Sequence, residues 1–254
     1  MTFYSTKSLM PIKPPIKRSD RIERAEDGVG NDRVFIVVAA YNESATIRNV
    51  VKRLAMRYRS IVVVDDASTD GTISQLDGLD VHILRHVINR GQGASLQTGI
   101  EYSLSKGAQV IVTFDADGQH DENDIPALVE PITRGECEVC LGSRFLGAAH
   151  NIPFLRLLTL KGGVLFTRVV SGIRTTDVHN GLRAFSRSAA ERIRITMDRM
   201  AHASEILDQL RVRKLSFKEV PVNVYYSAHS LEKGQSSWNA LRIAIQMCYK
   251  RFTG

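Results

Sequence analysis

The stretch VTFDADGQHDENDIP, Val112 to Pro126, places Asp115, Asp117, Asp121, Glu122 and Asp124 directly behind the apolar run VIVTF. Two carboxylates one residue apart at the end of a buried strand repel each other unless a cation lies between them. A hard divalent ion, Mg2+ or Mn2+, takes oxygen ligands and keeps places for substrate phosphates. Asp115 and Asp117 therefore read as the metal half of a site whose other half is a diphosphate. That reconciles the acids with a chain whose 34 Lys and Arg exceed its 27 Asp and Glu, for a formal charge of +7. For Asp121, Glu122 and Asp124 the simpler account is a helix cap and first-turn acids, with Asp121 or Asn123 as the cap.

Such a site needs strands to present it. From Arg33 onward, strand, turn and helix alternate. RVFIVVAAYNE is a continuous apolar run, the mark of a strand covered on both faces. Glu43 to Arg57 has helical spacing through Ile47, Val50, Val51 and Leu54, with Asn42 or Ser44 as its cap. SIVVVDDASTDGT repeats the scheme, and either Asp65 or Asp66 caps the short helix after STDGT. VHILRHV is a third strand, and GQGASLQTGIEYSLSKG a helix opened by glycines and closed by Gly107. QVIVTFDAD is a fourth strand, DIPALVEPITRG a helix with Pro126 in its first turn, and ECEVCLGSRF a fifth strand. Helices over Pro153–Val170 and around Ala203–Lys214, a strand SFKEVPVNVYY and a terminal helix follow.

This alternation predicts right-handed crossovers and a mainly parallel α/β sheet flanked by helices. Ligands in such sheets bind beyond the carboxyl ends of the strands. The clusters YNE, DDAS, NRGQG, DADGQH and GSR all fall there.

As an ordered set, AYNE, VVDDASTDGT, NRGQGAS, FDADGQH and GSR resemble the family 2 inverting glycosyltransferases. These have the GT-A (Rossmann-like) fold, and the resemblance is to the branch of dolichyl- and polyprenyl-phosphate mannose or glucose synthases. It runs from about Val34 to Val224. It implies a UDP- or GDP-linked sugar as donor, Mg2+ or Mn2+ as cofactor, and a polyprenyl phosphate as acceptor. A sugar or lipid hydroxyl in envelope polysaccharide or glycolipid synthesis is the alternative acceptor.

The resemblance also implies roles. Ala40, Tyr41 and Glu43 match the first donor-binding motif. Asp66, with Asp65 beside it, matches the acid at the nucleotide base, where a carboxylate accepts from a uracil or guanine N–H. Asn89, Gly91 and Gly93 match the loop along the donor, where glycines let backbone N–H groups approach. Asp117 is the expected closest metal ligand, supported by Asp115 and Gln119, with Asp115 and Ala116 also at the donor. Ser143 and Arg144 look like the polar pair beside the diphosphate and acceptor phosphate. Asp177 in TTDVHNGLRAF matches a later acid that acts as base when the acceptor is a hydroxyl; a phosphate, already an anion, needs none. Asn180 and Arg183 read as loop scaffolding. Arg156 and His179 are candidate acceptor contacts. The arginine-bearing loop expected near the donor phosphates is replaced by YYSAHSLEKGQSSWNAL, where His229 and Lys233 take the cationic role.

The 254 residues, 43% hydrophobic and 24% charged, suit one domain with appendages. We divide them into a basic flexible arm at 1–31, a GT-A catalytic domain at 32–228, and a polar loop with an amphipathic helix at 229–254. In that helix Trp238, Leu241, Ile245 and Cys248 share a side, which suits docking on the domain, on a second copy as a homodimer, or on an anionic membrane. No stretch is long and apolar enough to span a bilayer, and the first residues lack the apolar region of a signal peptide. A cytoplasmic protein with at most peripheral membrane contact is the expectation. Cys137, Cys140 and Cys248 are too few for a disulfide framework and are expected to be reduced, the first two at a strand edge. A dehydrogenase is disfavoured because AAYNESA offers no GxGxxG. Nucleic-acid binding is disfavoured by dispersed basic residues and 7% aromatics. A non-catalytic nucleotide-binding regulator is the remaining rival.

Overall fold

The computed structural model describes residues 33–197 and 201–226. The arm at 1–31, the helix at 229–254, His229, Lys233 and Cys248 lie outside the described residues. Seven strands form one sheet in the order β3-β2-β1-β4-β6-β5-β7. They are β1 (Val34–Ala40), β2 (Ser60–Asp65), β3 (His82–Arg85), β4 (Val110–Asp115), β5 (Val139–His150), β6 (Arg183–Ser186) and β7 (Phe217–Tyr225). All neighbours pair in parallel except β6, which runs antiparallel between β4 and β5. The expected mainly parallel α/β sheet is what forms.

Alternation along β1 builds two cores. Val34, Ile36 and Val38 point to the face covered by α1 (Ile47–Ala55) and α3 (Ile125–Thr133). Phe35 and Val37 point to the face covered by α2 (Gln92–Ser105), α5 (Arg187–Arg192) and α6 (His202–Val212). A strand buried on both faces has no polar side to show, which is why the sequence there is an unbroken apolar run. The remaining helix, α4 (Phe154–Ser171), follows β5.

Four details differ from the sequence reading. Helix α1 begins at Ile47, and neither Asn42 nor Ser44 caps it. Asn42 instead accepts from the Thr69 N–H at 2.8 Å, and the Ser44 N–H donates to Asp70, so both residues belong to a loop tied to its neighbour. Neither Asp65 nor Asp66 caps the short helix after STDGT, which starts at Ile73 without a side-chain cap; Asp70 instead accepts from the Thr72 N–H and hydroxyl in the turn before it. Cys137 and Cys140 are free and buried, but β5 is an interior strand, so Cys140 sits in the core rather than at an edge. Strand β5 also continues past Phe145 to His150, with an irregularity between Ser143 and Ala148.

Candidate active site

Register brings the motifs to one level. In the β1–β2 pair Ala40 lies beside Asp65, and in the β1–β4 pair Ala39 lies beside Asp115. Strand-end chemistry from three motifs thus meets at one edge without any long-range search by the side chains.

On the β1 side, Tyr41 stands 46% exposed just past the strand, a free ring at the sheet edge. The following loop is stitched to the β2 loop: the Asn42 N–H donates to Ser68 and the Glu43 N–H to Thr72, at 2.9 and 2.8 Å. Asp70 anchors the far side. Burial would lift its carboxyl, but the bonds from Thr72 and Ser44 outweigh that and hold it at about 2.

Asp65 and Asp66, expected at the nucleotide base, are buried and occupied. Asp65 accepts from the Ser68 N–H and faces the Arg85 guanidinium at 3.2 Å. Asp66 accepts from the backbone N–H groups of Arg90 (2.9 Å) and Gly91 (2.6 Å), and His86 Nδ1 lies 2.8 Å away. Asp66 therefore ties down the turn that opens α2. Gly91 closes that turn with φ 93°, a conformation that only glycine adopts without strain. Asn89 is exposed, and Gly93 is buried in the first turn of the helix.

The acid pair at the end of β4 is asymmetric. Asp115 is held on both oxygens: Gln92 Nε2 donates to Oδ1 at 2.7 Å, and His120 Nε2 lies 3.0 Å from Oδ2. Burial would raise Asp115, but the His120 bond and the surrounding charges of His120, His202 and Arg144 hold it below its usual range. Asp117 accepts only the Gln119 N–H among the described residues, at 3.0 Å. Burial, then the charges of Asp115 and Glu43, lift it to about 6. Asp115 has a partner at each oxygen; Asp117 forms no ion pair among the described residues.

No three His, Cys, Asp or Glu side chains among the described residues make a ready-built metal cage. The oxygen donors present suit a divalent ion that completes its shell with phosphates. Burial and the neighbouring carboxylates disfavour charge on Asp117, which a cation would relieve, and the buried Gln119 beside it has an amide oxygen, a hard ligand, to offer. Asp115, Asp117 and Gln119 fit such an ion.

Across the sheet, Ser143 and Arg144, expected beside the diphosphate and acceptor phosphate, are engaged by protein groups. Arg144 is 6% exposed, and its Nε donates to Asp177 Oδ2 at 2.6 Å. Its backbone N–H reaches the same oxygen, and its Nη1 donates to the Tyr226 hydroxyl. Ser143 is fully buried, with its hydroxyl 2.6 Å from that of Thr176. The loop that carries Thr176 and Asp177 is fixed in turn by Glu219 of β7, which accepts from both backbone N–H groups. Arg144 and Asp177, expected as phosphate grip and base, are thus bound to each other, because a buried ion needs its partner close. Arg183 is the scaffold expected of it: its guanidinium donates to the carbonyls of Val178, Asn180 and Ala203. Burial lowers His179 to about 4, so the imidazole is neutral at physiological pH. Arg156, half-buried, lies over the Tyr226 ring, 5.3 Å from its centroid.

Gln92, His120 and Gly181 were not singled out by sequence reasoning. A Cβ on Gly181 would stand 2.2 Å from Asp115 Oδ2, so this loop closes against the acid. The first two lie inside the NRGQG and DADGQH motifs, which was the available signal.

The pattern of the family described as glycosyl transferase family 2 matches residues 35–194. The UDP-N-acetylglucosamine–dolichyl-phosphate N-acetylglucosaminyltransferase of Methanococcus voltae is 32% identical over 236 residues, covering 84% of this chain and 94% of the relative. The polyprenol monophosphomannose synthase of Mycolicibacterium smegmatis is 28% identical over 239 residues, covering 87% and 90%. Among solved structures, glucosyl-3-phosphoglycerate synthase from Mycobacterium tuberculosis, in complex with Mg2+ and UDP, superposes with a TM-score of 0.63 at 18% identity. That match covers 85% of this chain and 79% of the other, and it shows the shared fold.

Proposed function

This chain belongs to glycosyl transferase family 2 and is a nucleotide-sugar-dependent glycosyltransferase, and we propose that it transfers a sugar with inversion from a UDP- or GDP-linked donor to a polyprenyl phosphate. The observation that carries the acceptor is the closed Arg144–Asp177 pair. A hydroxyl acceptor requires a base, and Asp177 is committed to a buried arginine and, through Oδ1, to the His179 N–H. A phosphate oxygen is already a nucleophile. It needs only to be placed opposite the departing diphosphate. The relatives named for dolichyl- and polyprenol-linked products support the same choice.

Helix α4 supports a lipid-borne acceptor. It exposes Phe154, Leu155, Leu158 and Leu165, and it carries Arg156, Lys161 and Arg168 with no acidic residue. Apolar side chains flanked by bases, without acids, are the composition of a helix resting on an anionic lipid surface. Among the described residues no helix is long and apolar enough to cross a membrane. We place the enzyme peripherally, at the cytoplasmic face.

In this reading Tyr41, with Glu43 and the Asn89–Gly93 loop, receives the nucleotide. Asp117 would hold the metal most directly, with Asp115 and Gln119 beside it. When bound, Mg2+ or Mn2+ neutralises charge on the leaving diphosphate. Arg156, which stacks on Tyr226, would meet the acceptor phosphate, and His179 would contact the acceptor as a neutral imidazole. The test is transfer from UDP- and GDP-sugars, with Mn2+ or Mg2+, to polyprenyl phosphate and to the matching polyprenol in vesicles. Glycosylation of the phosphate alone is expected. Equal glycosylation of the free alcohol would defeat the acceptor assignment.

A further inference from the structure

Asp115 is restrained from three sides, by His120 five residues on and by Gln92 and Gly181 from farther away in the chain. Gln92, the first residue of α2, reaches across to Oδ1 at 2.7 Å. His120 approaches Oδ2 at 3.0 Å, and its ring packs edge-on against Phe114, with centroids 5.6 Å apart. Gly181 fills the remaining side, where any larger residue would overlap the carboxylate. His120 is itself anchored: it is 3% exposed and forms an isolated antiparallel bridge with Val224 of β7, while the Tyr225 N–H donates to the neighbouring Gln119 carbonyl at 2.9 Å. A carboxylate with a donor on each oxygen and a backbone wall behind it does not rotate.

We propose that Gln92 and His120 are positioning residues that lock the Asp115 carboxylate in one orientation, so that the donor's cation–diphosphate unit meets a preformed acid beside Asp117. This links the turn that opens α2 to the end of β4 through Gln92, and β7 to the same acid through His120. The proposal rests on reading Asp115 and Asp117 as the metal-facing pair. Partners that orient a metal-facing carboxylate through its free oxygens set affinity without touching the ion themselves.

Calorimetric titration of UDP and GDP, with and without Mn2+, separates the two claims. In Gln92→Ala and His120→Leu, Mn2+-dependent nucleotide affinity should fall about 10- to 100-fold, with the weak Mn2+-independent binding unchanged. His120→Gln, whose Nε2 replaces the imidazole donor, should recover most of the loss. Combining the two losses should give less than their product, because both act on one carboxylate. Wild-type Mn2+-dependent affinity in the folded Gln92→Ala and His120→Leu proteins would overturn the inference and leave the metal reading standing. An equal loss in His120→Leu and His120→Gln would overturn it as well, since packing alone would then account for the effect. If His120→Leu does not fold, Gln92→Ala, at a part-exposed helix start, decides the matter. Absence of any Mn2+ effect in the wild-type protein would overturn the metal reading and this inference together.

Discussion

The two halves of the sheet reach their function by different means. In the parallel half, β3-β2-β1-β4, apolar strands run to one edge and the chemistry is delivered by strand register and loop backbone: Ala40 beside Asp65, Ala39 beside Asp115, Gly91 turning under Asp66. In the half made by β6-β5-β7, buried side chains from distant segments hold one another: Arg144 with Asp177 and Tyr226, Glu219 with the Thr176–Asp177 backbone, Arg183 with three carbonyls. The first half keeps one acid, Asp117, at its tip with the Gln119 N–H as its donor and no ion pair among the described residues. The second leaves neither member of its central ion pair free. The proposed donor side thus keeps an acid that forms no ion pair among the described residues, while on the proposed acceptor side Arg144 and Asp177 are paired with each other.

That contrast breaks most visibly at Asp177. Asp177→Asn leaves the buried Arg144 without its counter-ion, so stability should fall by about 3–5 kcal/mol, read as a lower midpoint in chemical denaturation. Unchanged stability with lost turnover would make Asp177 a catalytic acid or base and erase the distinction. Gly181→Ala probes where the halves touch. Its methyl would displace Asp115, at a cost of about 1–3 kcal/mol and with weaker Mn2+-dependent nucleotide binding. An unaffected variant would mean the loop yields freely.

The pH dependence of the acid pair sharpens the same comparison. Asp117 titrates at about 6, so a proton competes with the cation below that value, and Mn2+-dependent nucleotide affinity should decline as pH falls through about 6. A flat profile between pH 5 and 7 would show that Asp117 is not the cation's partner. The smallest effect belongs to His179. Its folded-state pKa, about 4, is below the ordinary 6.5, so the unfolded chain takes the proton first. Stability should therefore drop as pH falls from about 6.5 towards 4, and His179→Gln should flatten part of that slope.

The contrast also explains what the sequence could and could not disclose. Continuous apolar runs ending in YNE, DDAS and DADGQH made β1, β2 and β4 legible, because a doubly covered strand has no other composition open to it. Strand β6 was missed: RAFS is four residues long and begins with an arginine. Arg183 was legible as loop scaffolding, and two of its carbonyl partners are local, but the third, Ala203, comes from α6, which the local sequence does not indicate. The same limit applies to Arg144. An arginine after a strand is a sound phosphate ligand until the fold places Asp177 against it. The asymmetry between Asp115 and Asp117 was likewise out of reach, because Gln92 and His120 create it from outside the acid pair.

The account turns on Asp117 as the acid left open for a cation. The most direct measurement is calorimetric binding of UDP and GDP, with and without Mn2+, to the wild-type protein and to Asp117→Asn. Mn2+ should tighten nucleotide binding at least about 10-fold in the wild type and have no effect in the folded variant. Equal Mn2+ enhancement in both proteins would contradict the assignment.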